Sequence, residues 1–492
     1  MSDATHFDLV IIGSGSGNSL VTPDFEDRRT AVVDGGVHFG GTCLNVGCIP
    51  TKMFVYAADV ASTVRDATRF GIDATLDGVR WRDIRDRVFG RIDPISEGGM
   101  DYRRDADHTE LYRGHARFVA DRELEVEITR PGGRHEVGSV HRITGDQVVI
   151  ATGSHPWVPE VVLGSGVPFH TSDTVMRIDE LPGSMVILGG GVVAAEFAHV
   201  FSALGVRVTV VNRGERLLGA FDPDLSAAFT DLARAQWDVR TGVTTTAVRG
   251  DEEGVELTLD DGSVVAADLL LVATGRRAST DDLGLEHTAV QQHPDGRVVV
   301  DEHGATAAEG VWALGDVSSP YQLKHVANHE ARVVAHNLVH PEDLQSVDHR
   351  FVPAAVFTHP QVATVGLTAE EAREQGYAVT TKTQRYGDTA YGWAMEDTTG
   401  LFTLVACRRT GCLLGAHAMG PHASSLIQPV IQALSLAGPT GGPTALELAR
   451  GQYWIHPALA EVLENALLGL DVEPFEDVTA DYDPSGEDVD AT

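Results

Sequence analysis

The sequence predicts an α/β protein made of two doubly wound, parallel-sheet units followed by a smaller C-terminal α+β domain. Near the N-terminus an apolar strand runs into a glycine turn, a helical stretch and a second strand, and the same order recurs in the middle of the chain. After about residue 345 the texture changes to alternating strands (Ala354–Val365, Leu401–Cys407) and two apolar helices (Ser424–Leu436, Ala458–Leu470). At 492 residues the chain exceeds one ordinary core, so several domains are expected.

In the first unit Phe7–Ile12 reads as a buried strand that ends in Gly13-Ser14-Gly15-Ser16-Gly17-Asn18. Gly13, Gly15 and Gly17 let the backbone approach a pyrophosphate. Asp34, at the end of the short strand Ala31–Asp34, is spaced to accept a hydrogen bond from an adenosine ribose. Asn18 stands where a third glycine is usual, so a looser helix–strand contact is expected there. A first helix is read through Ser19-Leu20-Val21-Thr22-Pro23.

In the second unit the strand Met185–Leu188 ends in Gly189-x-Gly191-x-x-Ala194, a helix runs through Phe197–Leu204, and Val206–Val211 follows as a strand. That strand ends in Asn212 where a ribose-binding carboxylate would stand, followed by Arg213 and Arg216. A 2′-phosphate is repelled by a carboxylate and held by guanidinium groups, so NADPH is expected in preference to NADH. Both units are therefore Rossmann-like and dinucleotide-binding. Between them, Met53–Gly90 is mostly helical in pattern and Leu111–Ile150 reads as short strands. Two similar runs, Val148–Gly153 and Leu269–Gly275, each close on Ala-Thr-Gly where the chain crosses between domains.

Cys43 and Cys48 follow the first glycine turn, in Gly40-Gly41-Thr42-Cys43-Leu44-Asn45-Val46-Gly47-Cys48-Ile49-Pro50-Thr51-Lys52. A dithiol beside a nucleotide points to electrons passing between cofactor and sulfur. Nicotinamide does not reduce a disulfide efficiently, whereas a flavin accepts a hydride and passes a pair to sulfur. FAD is therefore expected on the first unit and NADPH on the second. The spacing is wrong for zinc ligation and no second CxxC pair exists, so no metal is expected. Cys407 and Cys412, the other cysteines, read as structural.

The net charge of -34 argues against nucleic acid and anionic membrane surfaces. Asp471–Thr492 holds nine acids and no base and reads as a disordered acidic tail. The N-terminal run Met1–His6 is no basic leader, and the longest apolar stretch, Met185–Val211, is interrupted by charge and glycine. A cytoplasmic protein is expected.

The run around Cys43 and Cys48 resembles the signature of the pyridine nucleotide-disulfide oxidoreductases. The resemblance continues through Ala313-Leu314-Gly315-Asp316-Val317 and His456-Pro457 with Glu461. Longer runs, Thr171–Met176, Ser318–Tyr321, Tyr391–Asp397 and Tyr453–Leu459, resemble the mycothione-reducing branch of that family. The resemblance implies a homodimer whose segments are 1–150 and 275–345 for FAD, 151–274 for NADPH and 346–470 for dimerisation, before the tail at 471–492. It implies that Cys48 is the charge-transfer thiol and Cys43 the interchange thiol. His456 would reach the partner's dithiol with Glu461 orienting its ring, and Lys52 and Glu196 would pair beside the flavin. Asp316 would bind the ribityl chain. Gly41, Thr42, Thr152, Gly153, Gly315 and Gly275 complete the cofactor-binding set.

The stretch Ser19–Pro23 lacks the basic residues of a glutathione-type site, which suits the uncharged sugar–inositol body of mycothione. No cysteine lies in the last eighty residues, against members with a C-terminal thiol pair. Val192 stands where many relatives carry an aromatic gate, so gating of the nicotinamide pocket stays open. The same-class alternative is a dihydrolipoamide-oxidising member or another low-molecular-weight disulfide reductase. A binding component of a larger complex and a flavin redox sensor without turnover are the others.

Overall fold

The computed structural model describes residues 4–25, 27–436 and 442–473. The acidic tail beyond residue 473 and the terminal Met1-Ser2-Asp3 lie outside them. The chain forms two compact units. One runs to Arg350 and takes in Val356–His359; the other holds Phe351–Ala355 and the chain from Pro360 on.

The first unit begins with the strand Thr5–Ile12, which pairs in parallel with Thr30–Val33 on one side and Val140–Ile150 on the other. Thr109–Tyr112 and Val311–Ala313 extend the parallel sheet, and Gly114–Ala120 and Glu123–Ile128 add antiparallel strands. All of Thr30–Val33 is buried, as a strand covered on both faces must be. The helix Cys48–Asp66, the 3₁₀ turn Ala67–Phe70 and the helix Trp81–Asp105 fill the region read as helical.

A second parallel sheet follows, with strands in the order Asp238–Thr241, Arg207–Asn212, Ser184–Leu188, Leu269–Val272. The helix Val192–Ala203 crosses it, burying Phe197 and Phe201. A buried side chain of this size stabilises by about 1.5–3 kcal/mol. The two Ala-Thr-Gly crossings do meet: just beyond each, Ser154–Pro156 and Arg276–Ala278 pair as a two-stranded ribbon.

The two sheets share one turn geometry. Gly13 N–H donates to Val33 O at 2.7 Å, and Gly189 N–H to Val211 O at 2.8 Å. A β-carbon on Gly13 would lie 2.2 Å from Ala151 O, and one on Gly189 would lie 2.2 Å from Ala273 O. Both glycines have positive φ, 112° and 130°. No other residue fits either turn.

Three expected elements differ from the observed ones. No α-helix runs through Ser19–Pro23; the chain makes two short 3₁₀ turns, Ser16–Leu20 and Pro23–Phe25. Pro23 lacks the N–H that an α-helix would need there. Asn18 is held from another helix, Trp81–Asp105, whose Arg103 donates to its side-chain and main-chain oxygens at 2.7 and 2.8 Å. The tight approach falls at Gly17, where a β-carbon would lie 2.7 Å from Ala151 Cβ. The strand read over 354–365 is also interrupted. It stops at Val356 and resumes as Gln361–Gly366, and Phe357 between them serves the site below.

The second unit packs antiparallel strands Gln361–Gly366, Leu413–Gly420, Leu401–Cys407 and Val379–Arg385 in that order. Helices Gln428–Ser435 and Ala460–Leu468 supply apolar faces to the same core. The helix read over 424–436 is two pieces, Ala423–Leu426 and Gln428–Ser435, parted where Pro429 enters.

Candidate active site

Cys43 lies in the short helix Gly41–Asn45, and Cys48 is the first residue of the 19-residue helix Cys48–Asp66. Both are free thiols. The Cys43 sulfur is influenced by the Cys48 thiol and by the backbone N–H groups of Cys48 and Ile49, each of which favours its thiolate. It thus sits on the N-terminal end of a long helix, where unpaired amides favour an anion. The Cys43 pKa falls to about 7, first through the Cys48 hydrogen bond, against burial, with help from Lys324. The Cys48 thiol is pushed up, chiefly because it is the donor in that bond. The two thiols therefore share one proton as a pair near neutral pH.

Lys52, one turn along the helix from Cys48, lays its ammonium 3.6 Å from the centre of the Phe357 ring. The Phe357 N–H donates to Glu196 Oε1 at 2.9 Å. Phe357 therefore seats both charged groups. No ion pair within 4.0 Å joins Lys52 to Glu196 among the described residues. Burial pushes the Glu196 carboxyl up to about 7, against the Phe357 hydrogen bond and the Lys52 charge. Burial lowers Lys52, with Asp59 and Glu196 acting the other way. Glu196 is thus a carboxyl poised to hold or release a proton at neutral pH.

The first glycine loop fits a bound dinucleotide. A β-carbon on Gly41 would lie 2.5 Å from Gly15 Cα, so two bare backbones meet where a pyrophosphate must approach. Asp34 is buried, and its carboxylate accepts from Ser14 N, Ser14 Oγ, Gly36 N and Arg113 Nη1. A ribose hydroxyl at Asp34 must share or displace one of these donors. The other end of the cradle is Asp316, which accepts from Ser154 Oγ at 2.7 Å. Gly315 N–H is held by Glu330 Oε2 at 2.7 Å. Thr152 is committed to Ser279 O at 2.8 Å, and Gly153 and Gly275 take positive φ at the two crossings. Thr42 caps its own turn by accepting from Val46 N.

The second loop fits a dinucleotide as well. Gly191 caps the helix Val192–Ala203 with no side-chain bond, and no acid lies in the first turn. A β-carbon there would meet nothing within 4 Å, and Ala194 is buried beneath. The positive helix end is open to a phosphate. Asn212 Nδ2 donates to Gly214 O and Arg216 O at 3.0 and 2.9 Å, closing the loop that carries Arg213 and Arg216. Arg216 also donates to Pro223 O at 3.0 Å, while Arg213 is exposed.

In the second unit His456 Nδ1 lies 2.6 Å from Glu461 Oε1. The ring is 70% exposed, so its other nitrogen is free to meet a molecule outside this unit. The carboxyl of Glu461 is held below its usual range by that bond, against slight burial. No group of three or more His, Cys, Asp and Glu able to hold a metal occurs among the described residues. No helix among them is long and apolar enough to cross a membrane.

Sequence reading missed Phe357, Arg113 and Lys324. None stands in a local motif, and each reaches its partner across a long stretch of chain.

Known proteins resemble this chain along nearly its whole length. The chain is 57% identical over 470 residues to mycothione reductase of Mycobacterium tuberculosis, covering 94% of this chain and 99% of that one. It is 36% identical to mercuric reductase of Streptomyces lividans, covering 94% and 96%. The solved HOCl-induced flavoprotein disulfide reductase RclA of Escherichia coli superposes with a TM-score of 0.80 at 26% identity, covering 94% and 99%. Residues 352–467 match the dimerisation domain, and residues 7–331, which carry both glycine turns and the dithiol, match the main domain. The chain therefore belongs to the pyridine nucleotide-disulphide oxidoreductase family.

Proposed function

We propose that the protein is a cytoplasmic, homodimeric NADPH-dependent flavoprotein that reduces mycothione to mycothiol through the Cys43–Cys48 pair. The observation that carries the reading is the Cys43 sulfur on the amino end of the helix that begins at Cys48. The 57% identity to a mycothione reductase supports the substrate. The exposed Arg213 beside Asn212 supports NADPH over NADH. The matched dimerisation domain supports the homodimer. The segments 1–150 and 275–345 hold FAD, 151–274 holds NADPH, and 346–470 forms the interface between subunits.

Gly13, Gly15, Gly17 and Gly41 would cradle the FAD pyrophosphate, with Asp34 and Asp316 at its two ends. Gly189, Gly191 and Ala194 would hold NADPH, with Arg213 and Arg216 at the 2′-phosphate. Bound FAD supplies the passage of an electron pair from nicotinamide to the Cys43–Cys48 disulfide. The Cys43 thiolate then attacks one sulfur of mycothione, forming a mixed disulfide and releasing one mycothiol thiolate. The partner subunit's His456, oriented by Glu461, protonates that thiolate. Cys48 attacks the mixed disulfide, releasing the second mycothiol and restoring the protein disulfide. Lys52 and Glu196 set the charge beside Cys48 while it is reduced.

Turnover of mycothione, oxidised glutathione and lipoamide, each with NADPH and with NADH, tests the reading. Mycothione with NADPH is expected to be the best pair. Mycothione as the poorest acceptor would overturn the substrate.

A further inference from the structure

The helix Cys48–Asp66 carries Lys52, Asp59 and Asp66 at seven-residue spacing. Seven residues are close to two turns, so the three share one face. That face lies against the helix Val192–Ala203 and the segment 356–359. Lys52 meets the Phe357 ring, whose own N–H holds Glu196. Two turns on, His199 donates from Nε2 to Asp59 Oδ1 at 2.9 Å. Two turns further, His359 Nε2 lies 3.6 Å from Asp66 Oδ2, and its ring stacks on His199 with centroids 6.1 Å apart. A polar seam thus joins two helices that begin at working ends, one at the dithiol and the other at the second glycine turn.

The His199 side chain is 2% exposed and that of Asp59 is 32% exposed. A buried histidine with one partner often does no more than satisfy itself in a core. This one stands one turn after Glu196 on the same helix, and its partner stands two turns after Lys52. Apolar contact between helices is non-directional, whereas a hydrogen bond fixes both distance and angle. Arg65 makes the other polar bond between the two helices, a long one of 3.5 Å to Ser202 O.

We propose that His199 and Asp59 are positioning residues of the dithiol site: their hydrogen bond sets the register of the two helices and so holds Glu196 on Phe357, opposite Lys52 and beside Cys48. The step this serves, reduction of the Cys43–Cys48 disulfide, comes from the disulfide-reductase reading above; the helix register does not depend on it.

The test follows one NADPH addition to the oxidised holoprotein. Stopped-flow absorbance reads flavin reduction, and rapid quenching with an alkylating agent reads the appearance of Cys43 and Cys48 thiols. In His199→Leu thiol appearance is expected to slow about tenfold or more, as small misplacements of working groups do, while flavin reduction keeps its rate. His199→Gln puts an amide N–H where Nε2 stood and should return thiol appearance towards wild type. Asp59→Asn should fall between. In the resting protein, hydrogen exchange at the Phe357 amide should quicken in His199→Leu and not in His199→Gln. Unchanged thiol appearance in His199→Leu, equal slowing of both phases, or an equal loss in His199→Gln would overturn the proposal. If His199→Leu does not fold, Asp59→Asn decides it: slowed thiol appearance supports the pair and an unchanged rate overturns it. A protein whose dithiol NADPH never reduces would sink the reading above, and the Phe357 amide would still decide the helix register: quickened exchange in the variant upholds it and unchanged exchange overturns it.

Discussion

His456 Nδ1 lies 2.6 Å from Glu461 Oε1, while the second oxygen of Glu461 accepts the Ala458 N–H at 3.1 Å. The carboxylate thus fixes the ring from its own helix start and leaves the other ring nitrogen to act. General acid catalysis contributes about 10²–10⁴-fold. His456→Asn should lower kcat with mycothione within that range, while reduction of the flavin by NADPH in stopped flow keeps its wild-type rate. Glu461→Gln should lose less. Slowed flavin reduction would show that the histidine serves another step.

The glycine turns should be separable. Gly189→Ala forces a β-carbon against Ala273 O at a positive φ, and strained backbone of this kind alone costs about 1–3 kcal/mol. NADPH binding should weaken sharply while the yellow flavin content of the purified protein is kept. Gly13→Ala should do the reverse and lose flavin. Calorimetric titration and absorbance read the two. Equal loss of both ligands in either variant would contradict the division of labour.

Arg213 should set the coenzyme preference. A hydrogen bond to a charged group is worth about 1.5–3 kcal/mol, so Arg213→Leu should raise the KM for NADPH about tenfold or more. The KM for NADH should hardly move. An unchanged ratio would remove Arg213 from the 2′-phosphate site.

Glu196 should leave a mark on stability. Its carboxyl is raised from 4.5 to about 7 by burial, so folding favours the neutral form. Stability from this group is complete below 4.5 and is lost as pH climbs through about 7. Glu196→Gln keeps the acceptor for Phe357 N–H and removes the titration. The variant should therefore gain stability relative to wild type between pH 4.5 and 7 and hold the difference above it, measured by thermal melts across pH. A gap that narrows with rising pH would contradict the burial account.

What the sequence made legible was local. Cys43, Cys48 and the helix start that serves them lie within a few residues, as do Gly189 and Gly191 at a helix end. His456 and Glu461 are five apart, within one turn and its cap. The rest required the fold. Arg113 reaches Asp34 across 79 residues, and Lys324 reaches Ser16 across 308. Phe357 meets Glu196 across 161, through a main-chain N–H that no side-chain pattern announces. At Ser19–Pro23 the glycine turn suggests a helix, but Pro23 has no N–H to continue one and the backbone makes 3₁₀ turns instead.

The most direct test of the central claim is an anaerobic count of protein thiols before and after NADPH, with alkylated peptides mapped by mass spectrometry. The account predicts that air-oxidised protein carries Cys43 and Cys48 as a disulfide and that NADPH releases both as thiols, while Cys407 and Cys412 stay unchanged. Protein in which Cys43 and Cys48 are free throughout, or in which NADPH bleaches the flavin without exposing them, would contradict it.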